Sequence, residues 1–251
     1  MIALEFRLKL SSAYSIRVPY SYQCARTYPL PAPSTIKGLC ANALWRLHGG
    51  EPVQILNDIN KNSMIATSRT EYPVVITSCT VRVIPMDALL RQFAFTPYID
   101  CMIVFKDVAK DLVKQIEESL KFSPVYIGDS ESLACIIPES VNSEVKFNSV
   151  SKDKDVEVNA LVKFNVVQNN TLSEKGVVLY MQDDPCSPEA TLHRYIAPLR
   201  QKGDSYEPLV SLSFATSKDC IIVEGNLIKG LFCEVQDEAI EDKQRSRKKK
   251  A

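Results

Sequence analysis

The hydrophobic pattern of the chain changes its period close to the start. Apolar residues occupy every second position of residues 2–10, which predicts a half-buried β-strand. In residues 35–48 they recur at intervals of three and four, which predicts an amphipathic helix. Ser34 or Thr35 is expected to cap the start of this helix, and Gly49-Gly50 is expected to end it.

Further segments carry a clear pattern before residue 138. Residues 64–84 are rich in β-branched side chains and are expected to be extended, and residues 99–105 are an apolar strand. Asp107 is expected to cap a helix that runs to Lys121. Residues 125–127 and 133–137 supply two more strand segments. The inward-facing residues of the second helix are expected to be Val108, Leu112, Ile116 and Leu120.

The order of these elements is strand, helix, strand, strand, helix, strand. This order is typical of the split βαβ, ferredoxin-like (RRM-like) fold, a four-stranded antiparallel sheet with two helices on one face. Residues 75–97 are too long for a tight hairpin, and we interpret them as a protruding β-hairpin, or thumb; an ordinary surface excursion is the alternative. Phe93 and Phe95 would form an apolar tip that inserts beside a base step, or a surface that a neighbouring subunit buries.

Strand patterns dominate beyond about residue 140. The predicted strands are 156–167, 176–181, 209–215, 220–224 and 231–235. Residues 183–208 are rich in proline and are expected to form long loops with one short helix near Ala190–Tyr195. The predicted fold class is therefore α+β: a ferredoxin-like N-terminal domain with a protruding β-hairpin thumb, followed by an irregular β-rich C-terminal region. The predicted domains are 1–138 and 139–238, with 239–251 as a charged, disordered tail.

Composition narrows the class of protein. Of the 251 residues, 45% are hydrophobic and 24% are charged, as in ordinary soluble globular proteins. No apolar run reaches the roughly 18 residues of a membrane span, so no membrane is expected as a partner. The first strand lacks the pattern of a secretory signal, which makes the cytoplasm the expected location. Because 30 basic residues balance 30 acidic ones, net charge predicts no partner.

The cysteines and histidines do not form a metal-binding pattern. The 8 cysteines contain no CxxC pair, and only 2 histidines are present, so neither a zinc site nor any cofactor is expected. Most of the cysteines, such as Cys40, Cys101 and Cys135, are interpreted as buried small hydrophobic residues. Disulfides are the alternative if the source is a hyperthermophile.

Local charge is more informative than net charge. The segment from Arg17 to Arg46 contains no Asp or Glu. Residues 12–32, which overlap the start of this segment, are called the arginine loop. In this loop guanidinium groups alternate with phenol rings along the chain. Such a surface suits single-stranded nucleic acid, because phosphates bind cations and unstacked bases stack on flat rings. The helix that follows adds amide donors and a positive dipole end, which also favour phosphate. The aromatic residues of the loop are Tyr14, Tyr20, Tyr22 and Tyr28.

Two motifs resemble those of the CRISPR-associated protein family five of type I effector complexes. The first is similar to the family's P-P/S-T-x-x-G-x-x-x-x-A-L helix start and consists of Tyr28-Pro29, Pro33-Ser34-Thr35-Ile36-Lys37-Gly38 and Ala41-Asn42-Ala43-Leu44. The second, called the glycine motif, is Pro-Val-Tyr-Ile-Gly-Asp-Ser-Glu at 124–131. It is similar to the family's aromatic-Ile/Leu-Gly-x-Ser element after the second helix. Length and composition are similar to those of an archaeal type I-A member.

The resemblance implies a specific function. It implies a subunit of a Cascade antiviral surveillance complex that caps the five-prime, repeat-derived handle of the guide RNA (crRNA). The body would hold the handle, with Gly128 close to it, and the thumb would insert between handle and spacer. The implied neighbours are the repeating backbone subunit (family seven) and the large subunit (family eight). One subfamily, type I-C, also cuts precursor RNA, so a metal-independent endoribonuclease is the alternative function.

The candidate RNA-binding residues come from the arginine loop, the helix after it, the thumb and the glycine motif. Arg17 and Arg26 are expected to contact phosphate, with a tertiary salt bridge as the alternative. Tyr20 and Tyr22 would share one side of an extended strand, as a stacking pair or as a core face. Lys37 is expected in the first helical turn, where the helix dipole disfavours a cation unless an anion binds. The full set is Arg17, Tyr20, Tyr22, Arg26, Ser34, Lys37, Arg46, Arg82, Arg91 and Gly128.

No catalytic residue is predicted. Metal-independent RNA cleavage needs an acid and a base near the reacting hydroxyl and the leaving oxygen. His48 ends the first helix, where an imidazolium favours the helix dipole, and His193 lies in the proline-rich segment beside Arg194. The sequence brings no His, Lys and Tyr together, so a non-catalytic RNA-binding subunit is the leading hypothesis. A third hypothesis is a scaffold whose tyrosine loop contacts only protein.

Overall fold

A computed structural model of the chain describes residues 1–21, 24–83, 87–129, 132–168, 171–172, 175–186 and 191–233. The helices are α1 (Pro33–His48), α2 (Pro52–Asn62) and α3 (Lys110–Phe122), with 3-10 turns at Asp107–Ala109, Pro138–Ser140 and Phe164–Val166. The strands are β1 (Ile2–Leu10), β2 (Cys24–Ala25), β3 (Ser63–Arg69), β4 (Val74–Val83), β5 (Asp87–Phe95), β6 (Tyr98–Phe105), β7 (Val125–Tyr126), β8 (Leu133–Ile136), β9 (Lys146–Val150), β10 (Asp155–Val158), β11 (Val162–Lys163), β12 (Val177–Gln182), β13 (Leu192–Ala197), β14 (Leu199–Lys202), β15 (Ser205–Pro208), β16 (Leu212–Ala215), β17 (Cys220–Glu224) and β18 (Lys229–Phe232). The fold is a mixed α+β arrangement with many strands and few helices.

The N-terminal sheet has the strand order β3-β6-β1-β8-β7. Its neighbouring strands are antiparallel, and Phe6 of β1 lies opposite Cys101 of β6. The helices α1 and α2 lie in the connection from β1 to β3, and α3 lies between β6 and β7. The sequence pattern therefore located the main elements of this sheet, but it missed α2.

Strand β1 is buried on both faces, so the expectation of a half-buried strand was wrong. On one face Leu4, Phe6 and Leu8 pack in the same core as Ile36 of α1 and Ile116 of α3. On the other face Ala3 packs with residues of β6, β17 and β18. The alternating pattern was misleading because the second face is occupied by Ala3 and Glu5, both of which are buried. The residues that cover this face include Met102, Val104, Val223, Ile228 and Phe232.

The helix boundaries differ from the predicted caps. Helix α1 begins at Pro33, after Ala32, and no side chain caps it, so neither Ser34 nor Thr35 is the N-cap. Proline favours the first helical position because its fixed φ matches the helix and it lacks the N–H that would stay unbonded there. The predicted end is confirmed, since the Gly49 N–H donates to the Trp45 carbonyl at 2.8 Å.

The second predicted helix is present, with a different start. Asp107 lies in a 3-10 turn and pairs with the N-terminal ammonium of Met1 instead of capping α3. Val108 is 86% exposed, which contradicts its predicted inward position. Ile116 and Leu120 are buried as expected.

The region after residue 140 contains more strand than the sequence indicated. The segment predicted as a helix near Ala190–Tyr195 contributes to β13 from Leu192 onward, and the proline-rich segment also forms β14 and β15. The predicted strand at 156–167 is divided into β10, β11 and a 3-10 turn. One sheet, β14-β15-β4-β5-β2, combines strands from both sides of residue 138. The domain division at 138 stays a prediction, and the tail at 239–251 lies outside the described residues.

Cysteine burial is mixed. Cys40 and Cys101 are buried as expected, whereas Cys135 is exposed. Cys220 and Cys233 form a disulfide next to the β17–β18 pair, with their Cα atoms 4.2 Å apart. Within the described ranges, none of the helices is long and apolar enough to span a membrane.

Candidate nucleic-acid interface

Two of the four tyrosines of the arginine loop anchor it in the core. Tyr14 is fully buried and donates its hydroxyl to the Pro29 carbonyl at 2.6 Å. Tyr28 is also buried, and its hydroxyl donates to the Tyr180 carbonyl of β12. Burial raises the pKa of Tyr28 to about 12, and it raises that of Tyr14 further. These two rings fix the ends of the loop and do not offer a stacking surface.

The loop backbone rests on two other segments of the fold. The N–H of Tyr14 donates to the Ala94 carbonyl of β5 at 2.8 Å, and the Ala94 N–H donates back at the same distance. Ser15 forms a parallel bridge with Gly128 and donates its N–H to the Ser132 hydroxyl at 3.2 Å. The loop is therefore held by β5 on one side and by the glycine motif on the other.

Arg17 and Arg26 extend from neighbouring arms of this anchored loop. Arg17 forms an antiparallel bridge with Thr27, and the Val18 N–H donates to the Arg26 carbonyl at 2.9 Å. Both side chains are exposed, and neither forms an ion pair with a carboxylate anywhere in the described part of the chain. The two exposed guanidinium groups thus lie on two short paired stretches, residues 17–18 and 26–27. No carboxylate in these stretches neutralises their charge.

Tyr20 lies at the turn between these arms. Its φ is 60°, in the left-handed region, and its side chain is 77% exposed. The expectation that Tyr20 and Tyr22 share one side of an extended strand is therefore wrong at Tyr20, which lies in a turn. Tyr22 is outside the described residues. Tyr20 presents an exposed ring at the turn of the arginine loop.

Gly128 positions the arginine loop. It has a φ of 91°, and a Cβ at this position would lie 2.3 Å from the Ser15 carbonyl oxygen. Only glycine allows the two backbones to approach so closely. The absence of a side chain at 128 is thus explained by packing against Ser15, whatever ligand lies nearby.

Arg91 has an acidic partner inside the fold. Its guanidinium pairs with the Asp129 carboxylate and lies 4.8 Å from the ring centroid of Phe93. This ion pair lowers the charge that Arg91 can offer to phosphate. Asp129 belongs to the glycine motif, so the pair also joins the hairpin formed by β4 and β5 to that motif.

Phe93 and Phe95 lie near the base of the hairpin, so the expectation of an apolar tip made by these rings was wrong. Phe93 faces Thr77 and Phe95 faces Val75 at the ends of β4 and β5 that join the body. The turn at 84–86 and the Arg82 side chain are outside the described residues. At 77–80 the side chains of β4 are exposed on both faces.

Lys37 is buried and bonded within the fold. It lies in the second turn of α1 because the helix begins earlier than predicted. Its ammonium donates to the Asn60 side-chain oxygen of α2 at 2.8 Å, and Asn60 donates to Asp184 at 2.7 Å. Burial lowers the pKa of Lys37, against the opposing effect of Asp183 and Asp184. Lys37 therefore holds α1, α2 and the end of β12 together.

The remaining candidates lie on α1. Ser34 is half-buried at the start of the helix. Arg46 is exposed near its end, where its Nε donates to the Asn42 side chain at 3.0 Å and its guanidinium lies 5.1 Å from the Tyr126 ring centroid. These two residues are separated by most of the length of α1 and do not belong to one compact site.

The histidines also occupy different elements. His48 lies in the last turn of α1, and the His193 Nε2 lies 4.0 Å from an Asp183 carboxylate oxygen. The same carboxylate pairs with Lys163 and accepts the hydroxyl hydrogen of Tyr195. Sequence reasoning missed this cluster because its members come from two separate strands, β11 and β13, and from the loop after β12. Among the described residues no His, Cys, Asp and Glu side chains group in a way that could hold a metal ion.

Comparison with known proteins finds a family match in the N-terminal part of the chain. Residues 3–82, which include the arginine loop and α1, match the family model for the CRISPR-associated protein Cas5. This segment of the chain is similar to the Cas5 family. This segment contains both exposed arginines and the two tyrosine anchors, so the family match includes the main part of the candidate interface. No curated protein matches the sequence.

One of two similar solved structures shares the fold of this chain. A CRISPR protein from Archaeoglobus fulgidus matches with a TM-score of 0.61 and 15% identity, over 93% of this chain and 100% of that one. A chain of a CRISPR RNA-guided surveillance complex matches with a TM-score of 0.44 and 12% identity, over 86% of this chain and 91% of that one. The first of these structures therefore shares its fold with nearly the whole of this chain, beyond the segment that matches the family model.

Proposed function

We propose that this chain is a Cas5 protein that serves as a non-catalytic crRNA-binding subunit of a CRISPR type I (Cascade) antiviral surveillance complex. In this proposal it works in the cytoplasm of an archaeon with a type I-A system and caps the five-prime handle of the guide RNA. Its neighbours would be the repeating backbone subunit and the large subunit. The family match over residues 3–82 supports the general role, and the arginine loop supports the contact with RNA.

The sheet topology supports a specific interpretation of the fold. The order β3-β6-β1-β8 with α1 and α3 in its two crossover connections is the arrangement expected of a ferredoxin-like body. The β4–β5 hairpin, with residues 77–80 exposed on both faces, is the proposed thumb. In this interpretation the arginine loop lies between body and thumb, because it bonds to β5 at Tyr14 and Ala25.

One observation carries the proposal: Arg17 and Arg26 are exposed on a loop whose backbone bonds to Ala94 and Gly128, and they have no carboxylate partner among the described residues. A guanidinium paired inside its own fold offers little to phosphate, whereas one held ready in solvent can form a charge-assisted hydrogen bond. Phosphate contacts of this kind supply most of the affinity for single-stranded RNA and position the strand.

The proposal is tested by measuring RNA affinity over a range of salt concentrations. The double variant Arg17→Ala/Arg26→Ala should weaken binding of handle RNA and reduce the slope of log K against log salt by about 1.4, since each phosphate contact on a single strand contributes about 0.7. Lys152→Ala/Lys154→Ala removes the same charge from an exposed turn and is the control. Equal affinity of the two double variants would overturn the proposed site.

The absence of catalysis is part of the proposal. His48 and His193 lie on different elements, and the one carboxylate near His193 already bonds Lys163 and Tyr195. Purified protein incubated with repeat RNA in EDTA should leave it intact. Cleavage at a single site that disappears in His48→Ala or His193→Ala would instead favour the endoribonuclease. Absence of RNA affinity at low salt would favour a scaffold role.

A further inference from the structure

Three side chains form a row across the β11-β13-β12 sheet. Tyr180 of β12 lies directly opposite Arg194 of β13, so both project from the same face. On the other side of β13, Lys163 is opposite Tyr195, which places Phe164 beside Arg194. The Arg194 guanidinium carbon lies 4.6 Å from the Phe164 ring centroid. Tyr180, Arg194 and Phe164 are called the aromatic row here.

The aromatic row lies at the open end of a sheet face that is otherwise covered. Farther along the same face, Val162 and Ile196 are buried in a core with Phe214 of β16. The row itself is accessible: Tyr180 is 54% exposed and Arg194 is exposed. A phenol ring and a guanidinium plane are therefore presented side by side to solvent.

The charge of Arg194 is not neutralised by the described residues. No carboxylate there forms an ion pair with it, in contrast to Arg91 and its partner Asp129. The nearby Asp183 is occupied by Lys163 and Tyr195. Stacking on Phe164 holds the guanidinium flat while leaving its charge available.

The row is joined to the arginine loop by a hydrogen bond. The Tyr28 hydroxyl donates to the backbone carbonyl of Tyr180, the residue whose ring begins the row. Tyr28 follows Arg26 and Thr27 at the end of the loop's second arm. The two cationic surfaces are thus connected by a direct contact through buried Tyr28.

We propose that the aromatic row is a second RNA-contacting surface, on which unpaired bases of the bound strand stack. This inference rests on the proposed function and extends its contact surface into the C-terminal half of the chain. Flat rings with a guanidinium suit bases and phosphates. The exposed Val178, at 46%, lies next to the row on this face, and a protein partner is the alternative that the experiments below distinguish.

Substitutions at Tyr180 test stacking directly. The probe is a short single-stranded oligouridine that contains one fluorescent aminopurine base. Tyr180→Ala should weaken binding by about tenfold and reduce the quenching of aminopurine fluorescence, whereas Tyr180→Phe should retain both, because it keeps the ring. Tyr72→Ala, at a partly exposed ring that packs on Tyr98 of the N-terminal sheet, is the matched control.

Substitutions at Arg194 separate charge from shape. Arg194→Ala should weaken binding, and Arg194→Lys should restore the salt dependence but not the quenching, because an ammonium keeps the charge without the plane. Far-ultraviolet circular dichroism of each variant should match that of the wild type, since the row is at the surface.

The outcomes distinguish this inference from the proposed function. If Arg17→Ala/Arg26→Ala weakens RNA binding while Tyr180→Ala and Arg194→Ala behave like Tyr72→Ala, the row is not an RNA surface and the proposed function stands. If the wild-type protein binds no RNA, both fail. If Tyr180→Ala leaves RNA affinity unchanged but prevents assembly with a neighbouring subunit, the row is a protein interface and the inference is overturned.

Discussion

Gly225 lies directly against the buried carboxylate of Glu5, and a Cβ at position 225 would be 2.2 Å from the Glu5 Oε2. Glu5 is fully buried in β1, and its carboxylate accepts hydrogen bonds from the turn between β17 and β18. The first strand of the N-terminal sheet is thereby bonded to the C-terminal sheet. The donors are the backbone N–H groups of Asn226, Leu227 and Ile228, at 2.7, 3.1 and 3.3 Å, and the Asn142 side-chain amide at 3.0 Å.

Removing this carboxylate should destabilise the protein strongly. Glu5→Ala would leave three backbone N–H groups without their acceptor, and we expect it to lower the free energy of unfolding by about 3 kcal/mol or more. Urea denaturation followed by circular dichroism measures the change. Glu118→Ala, at an exposed position of α3, is the control and should cost less than about 0.5 kcal/mol. Equal stability of the two variants would show that the Glu5 contact does not hold the sheets together.

Gly128→Ala should disturb the arginine loop without removing any RNA contact. The added Cβ would collide with the Ser15 carbonyl, and the positive φ adds strain, so we expect a loss of about 2–4 kcal/mol in unfolding free energy. Gly203→Ala is the matched control, because its φ is 60° and nothing lies within 4 Å of its Cβ.

The readout for these two glycine variants is RNA affinity measured beside stability. Gly128→Ala should lower the affinity for handle RNA, because Ser15 precedes Arg17 by only two positions. Gly203→Ala should cost about 1 kcal/mol of stability and leave the affinity unchanged. Wild-type affinity in Gly128→Ala would mean that the loop does not need this anchor.

Lys37→Met should change the pH dependence of stability rather than RNA binding. Because burial lowers the folded-state pKa of Lys37 below its ordinary 10.5, the unfolded chain binds more protons than the native one between these values. Wild-type stability should therefore rise relative to Lys37→Met as pH increases through that window. Below it, the cost of burying the ammonium is fully present.

Urea titrations at several pH values up to about 10.5 check this difference. The charged or titratable groups that act on Lys37 are Asp183, Asp184, Lys163 and Cys186, and all of them remain in the variant. Lys114→Met, at an exposed position of α3, should show no such trend. If Lys37→Met lowers RNA affinity and Lys114→Met does not, Lys37 contacts RNA, contrary to this prediction.

Asp129→Asn should strengthen RNA binding slightly. The substitution removes the negative charge that pairs with Arg91 beside the arginine loop. We expect about threefold tighter binding at low salt, corresponding to less than 1 kcal/mol for a half-exposed pair. Fluorescence anisotropy with handle RNA measures it, and Asp155→Asn is the charge-matched control. Weaker binding than the control would place Arg91 outside the path of the strand.

Local pattern was sufficient to locate the elements with a clear apolar period, although β1 pairs with strands that are distant in sequence. The period of two at residues 2–10 and the helical period at 35–48 gave β1 and α1, because these patterns report which side chains face a core. Capping was predicted less well. Asp107 has the chemistry of an N-cap, yet it bonds the terminal ammonium of Met1, a contact that no local window contains.

Some features of the candidate site could also be predicted from local sequence, whereas others depend on tertiary contacts. The absence of carboxylates between Arg17 and Arg46 is a property of the sequence, and in the described part of the structure neither Arg17 nor Arg26 forms an ion pair with a carboxylate. The different fates of Tyr14 and Tyr20, one fully buried and one 77% exposed, could not be read from a segment in which both are loop tyrosines. Arg91 and Lys37 were likewise assigned to RNA although each has a partner distant in sequence.

The sequence by itself determined the α+β class, the first sheet's main elements and a cationic segment without acidic neighbours, because periodicity and local charge depend on residues close together. Only the tertiary structure decided which cations remain open to a ligand, since Asp129 and Asn60 reach Arg91 and Lys37 through folding. It also decided that β1 is covered on both faces and that Tyr180, Arg194 and Phe164 form a row, because strand register brings together side chains that the chain keeps far apart.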